Sequence, residues 1–341
     1  MSAARVLACS APARANLIGN PSDQYGGCTL ACTVPLRARV ELVSADATVV
    51  EAAGSERRLE KEADLALCGD VFDVARAVLA GLGPPLPRAR IRYATEVPLQ
   101  SGLAGSTALV VALLRALRAW RGAEPDSLHA LAEEAREIER TRLRVTCGYV
   151  DQYLCTFGGF AHVEFAGKTP EGSAATEPFA RLEPVDAPLP FVLAYTGKRH
   201  SSDRVHRPIR ARWLAGEPDV RRAMERSAEL GRLGTRALLR GDWGELGRHM
   251  NENHALVRAI GGSGAPNERL IEAALAAGAP GAKLAGAGDG GTIVALWTAA
   301  DARPLEDALR RAGAAALYRP VPVPGVRLET PDGGRVESTD A

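Results

Sequence analysis

The stretch from Pro98 to Thr107 constrains this chain most. Gly102, Ala104 and Gly105 sit there among Ser101, Ser106 and Thr107, after Pro98, Leu99, Gln100 and with Leu103 between. Apolar residues then recur at helical spacing, Leu109, Val110, Leu113, Leu114 and Leu117. This reads as a small-residue loop feeding the N-terminus of a buried helix. Such an end offers unpaired backbone N–H groups and the positive pole of the helix dipole, both of which attract phosphate. The same pattern also suits an ordinary strand–turn–helix junction with a serine cap, so the stretch alone leaves both readings open.

The rest of the chain narrows the choice by exclusion. A length of 341 residues suits two domains. Net charge is +1 and aromatic residues make up 5%. Neither favours a nucleic-acid or membrane partner. The six cysteines form no CxxC pair, which reads as reduced core thiols in a cytoplasmic protein. There is no long apolar leader or spanning run, so neither export nor membrane insertion is expected.

Taken in order, residues 5–11 read as a strand and 12–27 as a turn-rich segment. Residues 28–43 read as a strand and 52–64 as a loop. A helix is expected over 70–81 and a strand over 89–97, before the small-residue loop. After the loop's helix, Ser127 can cap another over 128–140. A strand is expected over 159–167. The proline-bearing stretch 183–190 reads as a domain boundary, dividing 1–185 from 186–330, with a polar tail at 331–341. Beyond it come a strand at 191–198 ending in a polar loop, helices near 219–240, 242–260 and 264–278, a strand–loop–strand unit at 283–297, a helix at 301–313 and a last strand at 316–329.

Several residues carry possible chemistry, each with a plain alternative. Gly286 to Gly291 formally holds GxGxxG, but a strand follows, where dinucleotide binding needs a helix. Asp151 lies in an apolar run and suits either a helix cap or a reacting carboxylate. Glu139 is one of several glutamates on an acidic helix. Arg14 alone says little, and the basic cluster Lys198, Arg199, His200 and Arg204 suits a solvated loop equally well.

Taken together these segments point one way. Residues 11–23 closely resemble the substrate motif of galactokinase, and 146–152 its catalytic-aspartate segment. Glu139 then falls on its acidic position without a gap. Residues 98–107 resemble the family's central ATP loop and 286–291 its third glycine motif. The chain thus resembles the GHMP kinases. Within them, residues 17–23, 98–103, 196–201 and 250–253 resemble the glucuronokinases, with heptose-phosphate kinases as neighbours.

The resemblance implies an α+β chain of two domains, the first like a ribosomal-protein module and the second ferredoxin-like. It implies a cytoplasmic kinase, monomer or homodimer, that uses ATP and Mg²⁺ to phosphorylate a sugar hydroxyl. The expected acceptor is the anomeric hydroxyl of a sugar acid such as glucuronate. A heptose-phosphate or other sugar kinase, or a non-catalytic sugar-binding member, is the alternative. It implies Asp151 and Arg14 as catalytic residues. It puts ATP on Pro98, Gln100, Ser101, Gly102, Leu103, Ala104, Gly105, Ser106, Thr107, Gly286 and Gly288, and the metal on Ser106 and Glu139. Substrate contacts fall to Asn20, Asp23 and Tyr25, with Lys198, Arg199, His200 and Arg204 for an anionic group. Asp289 stands where the family pattern has glycine. A carboxylate there would repel phosphate unless it faces away or meets a cation.

Overall fold

The computed structural model describes residues 5–199 and 202–329. His200 and the tail at 331–341 lie outside the described residues. Two long strands open the chain, β1 (Val6–Ile18) and β2 (Cys28–Ser44), paired antiparallel. The strand expected to stop at Ala11 therefore runs on to Ile18. Register shifts at Pro12/Ala13 and Asn16/Ile18 absorb the turn-forming residues that suggested a loop. Backbone groups freed there find distant partners. Arg14 N–H donates to the Leu103 carbonyl and Asn16 N–H to the Ala285 carbonyl.

A hairpin follows, β3 (Thr48–Ala52) and β4 (Ser55–Leu59), where a loop was expected. Its outer strand is Ser-Glu-Arg-Arg-Leu, charged as exposed edges are, so no apolar alternation announced it. Next come α1 (Asp73–Leu82), β5 (Ala89–Thr95), α2 (Gly105–Trp120) and α3 (Leu128–Glu137). The Ser127 side chain caps α3, as expected, accepting from Ala130 N–H at 3.1 Å. The helix then loosens into a π-turn over Ile138–Arg142. After α4 (Val150–Phe157), β6 (Phe160–Glu164) and β7 (Arg181–Pro184) complete the first half of the chain.

The second half holds β8 (Phe191–Tyr195), α5 (Ser202–Leu214), α6 (Pro218–Leu239), α7 (Trp243–Ala259), α8 (Ala265–Ala276), β9 (Gly281–Leu284), β10 (Thr292–Leu296) and α9 (Arg303–Arg311). α5 replaces part of the expected polar loop; an internal Pro208 and five charged residues scattered among thirteen hid it. The single last strand expected over 316–329 is two, β11 (Ala316–Tyr318) and β12 (Arg327–Glu329), in different sheets.

The first sheet runs β12-β1-β2-β5-β3-β4, with β6 and β7 joined to the other end of β2. The second runs β11-β8-β10-β9, antiparallel throughout. The architecture is α+β. One apolar core lies between the first sheet and α1, α2 and α3, with Leu42, Ile91, Val110, Leu113 and Leu117 fully buried. Each such side chain contributes about 1.5–3 kcal/mol by leaving water, so α2 is firmly seated and its N-terminus fixed. A second core joins Leu17, Leu30, Val34 and Leu103 to Phe191, Leu193, Leu230, Met250 and Val294, and so spans both halves. Among the described residues, no helix is long and apolar enough to cross a membrane.

Candidate active site

The two halves leave a cleft of about 250 Å³ between them. Its floor is the bulged end of β1, which supplies Arg14 and Asn16. One wall is the small-residue loop and first turn of α2, from Gln100 to Thr107 except Leu103. The other is built from Asn20, Pro21, Asp23 and Gln24, the start of α4 and the start of α5. Gly286 and Ala287 close it from the second half.

The loop is arranged for anions. Gln100, Gly102 and Ala104 all hold left-handed backbone, with φ of 54°, 76° and 60°. A non-glycine residue adopts this at a cost of about 1–3 kcal/mol, which only a tightly held loop sustains. The hold is visible, because three successive carbonyls are taken by protein donors. Ser101 O accepts from Thr292 Oγ1 at 2.8 Å, Gly102 O from Arg14 Nη1 at 2.7 Å, and Leu103 O from Arg14 N–H at 3.2 Å. With those oxygens turned inward, the first turn of α2 presents no side-chain cap. Its N–H groups are left for a ligand. Gly286 packs on this loop, where an added Cβ would lie 2.6 Å from Gly102 O, so only glycine admits the approach.

Arg14 ties the two walls together. Its Nε donates to Asp151 Oδ1 at 2.7 Å, Nη2 lies 2.5 Å from the same oxygen, and Nη1 holds the loop. Asp151 sits in the first turn of α4 with its side chain 28% exposed to the cleft. That helix is fixed by Asp23, whose Oδ2 accepts from Tyr149 and Val150 N–H at 2.8 and 3.2 Å. Gly148 makes this possible, since a Cβ there would fall 1.9 Å from Asp23 Oδ2. Burial pushes the Asp23 carboxyl upward, against these hydrogen bonds.

Glu139 enters from the π-turn. Thr107 Oγ1 donates to its two oxygens at 2.9 and 3.1 Å, and Gln152 Nε2 donates to Oε2. It forms no ion pair among the described residues, and burial pushes its carboxyl up to about 7. A buried carboxylate without a cation, beside hydroxyl oxygens, fits a hard divalent ion such as Mg²⁺.

Of the expected residues, Arg14, Asn20, Asp23, Gln100, Ser101, Gly102, Ala104, Gly105, Ser106, Thr107, Glu139, Asp151 and Gly286 all line the cleft. Leu103 is buried beneath the loop, and Gly288 packs on Gly262. Pro98 does not line the cleft. Tyr25 lies outside the cleft lining and packs at a tilt on Trp213, ring centroids 4.9 Å apart. Lys198, Arg199 and Arg204 are exposed and outside the cleft lining. Asp289 is likewise exposed and outside it. It holds a left-handed φ of 68°, a conformation aspartate tolerates better than most residues, and its Oδ1 lies beside Gly264.

The sequence reading missed Asn16, Gln24, Gln152 and Asp203. Asn16 and Gln24 are buried in the cleft wall, and Asn16 Oδ1 and Gln24 Oε1 have no hydrogen-bond partner among the described residues. Both sit in the segment singled out around Arg14, which was the available signal. Asp203 accepts from Thr146 N–H at 3.1 Å and pairs with Arg207 at 2.6 Å, linking α5 to the first half.

Comparison with known proteins bears on the family and the fold. Residues 69–159 match the model of the GHMP kinases N terminal domain, and residues 235–315 that of the GHMP kinases C terminal. The mevalonate kinase of Thermococcus onnurineus is 27% identical over 346 residues, spanning 95% of this chain and 98% of its own. Probable glucuronokinase 2 of Arabidopsis thaliana is 26% identical over 349 residues, spanning 94% and 92%. The structure of Lactococcus lactis galactokinase complexed with galactose superposes with a TM-score of 0.78 at 17% identity, over 94% of this chain and 95% of that one. It shares the fold.

Proposed function

This chain belongs to the GHMP kinase family, and on that premise we propose that it transfers the γ-phosphoryl group of ATP to a hydroxyl of a small sugar acid. The anomeric hydroxyl of glucuronate is the acceptor that best fits the motif resemblance. The observation that carries the reading is Arg14, hydrogen-bonded at once to Asp151 and to the small-residue loop, so that base and phosphate cradle share one cleft.

In this mechanism the loop and the start of α2 hold the triphosphate, and the acceptor lies against Asp23 and Asn20. Asp151 takes the hydroxyl proton as the oxygen forms its bond to the γ-phosphorus. The bond to the bridging oxygen breaks and ADP leaves. Arg14 keeps the Asp151 carboxylate oriented and offsets charge that builds on the transferred group. Glu139, with Ser106 or Thr107, would hold Mg²⁺, which when bound neutralises phosphate charge. Positioning and charge neutralisation account for most of the acceleration in such a transfer.

A second reading is favoured by the 98% coverage of the mevalonate kinase relative, which makes mevalonate the competing acceptor. Glucuronate and mevalonate are both hydroxy acids with one carboxylate. ADP release with Mg-ATP, screened over uronic acids, mevalonate, neutral hexoses and heptose phosphates, decides between them. Phosphorus NMR then locates the new ester. The proposal expects ADP with glucuronate and a 1-phosphate product. Asp151→Asn should cut that turnover by about 10²–10⁴ while ATP still binds. Turnover only with mevalonate replaces the acceptor assignment, and near-parental rate in Asp151→Asn removes Asp151 from its role.

A further inference from the structure

Lys283 on β9 has no task in the chemistry above, yet its placement is costly. The side chain is 1% exposed, and among the described residues no carboxylate offsets the burial. A methionine would fill the same space without a charge to desolvate. Nζ donates instead to Asn20 Oδ1 at 2.5 Å and to the Leu284 carbonyl at 2.5 Å.

Asn20 lines the cleft, and the second half of the chain grips it twice. Asn253 Nδ2 donates to the Asn20 carbonyl at 3.2 Å, while Asn253 Oδ1 accepts from Gly19 N–H at 3.0 Å. An ammonium only donates, so it dictates which end of the Asn20 amide faces it. Oδ1 is drawn inward to Lys283. Nδ2, which donates to no protein group among the described residues, is left as a donor for the cleft.

We propose that Lys283 is a positioning residue that holds the Asn20 amide toward a carboxylate oxygen of the acceptor, and that its charge selects anionic over neutral acceptors. The inference rests on the kinase reading and specifies its acceptor class. The other charges at the cleft permit it. Asp151 is paired with Arg14 and Asp203 with Arg207, Asp23 caps α4, and Glu139 is set among Thr107 and Gln152. At the Asn20 corner a buried cation lies directly behind a hydrogen-bond donor.

The test is run at about pH 6, where the folded chain keeps the Lys283 ammonium despite its burial, and compares acids with their neutral counterparts, glucuronate with glucose and mevalonate with 3-methylpentane-1,3,5-triol, by titration calorimetry and by KM where turnover occurs. The parent should bind one acid at least about tenfold tighter than its counterpart, and Lys283→Met should erase most of that ratio, the range expected of a hydrogen bond to a charged group. KM for ATP should stay within about threefold, because the phosphate loop is untouched. Asn20→Asp gives an independent variant, since a carboxylate facing Lys283 forms a buried pair. It should raise the melting temperature and abolish acid preference. The proposal is overturned if the parent binds neither acid, if it binds acid and neutral partner alike, or if either folded variant keeps the parental ratio. Binding needs no turnover, so absence of ADP with every acceptor would sink the kinase reading separately.

Discussion

At the scale of single residues, the cleft is organised by side chains that each serve two walls. Arg14 holds Asp151 and the Gly102 carbonyl, and Glu139 gathers Thr107 and Gln152. Lys283 is the buried charge with the clearest consequence for stability. Burial lowers its ammonium from 10.5 to about 7. Between those values the unfolded chain keeps a proton that the folded chain has released, so stability climbs as pH rises through this window. Below about 7 both states are protonated and this contribution to the slope vanishes. Urea titrations at about pH 6.5, 8 and 9.5 should show the climb in the parent and a flatter profile in Lys283→Met. Equal slopes in the two proteins would mean that Lys283 keeps its charge when folded.

At the scale of elements, helix ends do the positioning. α2 brings an uncapped N-terminus to the cleft, and α4 brings Asp151 in a first turn capped from outside by Asp23. That cap depends on Gly148. Gly148→Ala would drive a methyl into Asp23 Oδ2, and such overpacking costs about 1–3 kcal/mol. The expected result is a lower melting temperature together with a kcat loss larger than the KM change for ATP, because Asp151 shifts with α4. Unchanged kcat in the folded variant would show that α4 tolerates the displacement. The elements themselves were readable where burial imposed a period. α2, α3 and α8 each bury a helically spaced set of apolar residues, and Ser127 announced its own cap. β4 and α5 were not readable, because charges scattered through them, and Pro208 in α5, leave no apolar stripe. The continuation of β1 past Ala11 was hidden by residues that usually make turns.

At the scale of the whole molecule, the two sheets share a core. Leu17, Leu30 and Leu103 pack with Phe191, Leu230 and Val294. The chain also returns on itself, since β12 pairs with β1 and Arg37 donates to the Pro324 and Gly325 carbonyls at 2.9 and 2.8 Å. β12 thus lies beyond residue 185 but in the first sheet, and one core crosses that position. Calorimetry should show one unfolding transition with matching van't Hoff and calorimetric enthalpies. Two resolved transitions would mean that each half keeps its structure without the other.

The family, the small-residue loop, and the candidacy of Arg14, Glu139 and Asp151 were legible in the linear chain. Each lies in a short segment whose residue types are set by local chemistry: small residues at a helix start, a carboxylate in an apolar run. What the folded chain alone decided is which of these meet. Asn16 and Gln24 became wall residues, Tyr25 turned to Trp213, the exposed Lys198, Arg199 and Arg204 fell outside the cleft lining, and Lys283 came to rest behind Asn20. Those outcomes depend on contacts between residues hundreds of positions apart, set by how two sheets and their helices bury a common core, and no local pattern encodes them.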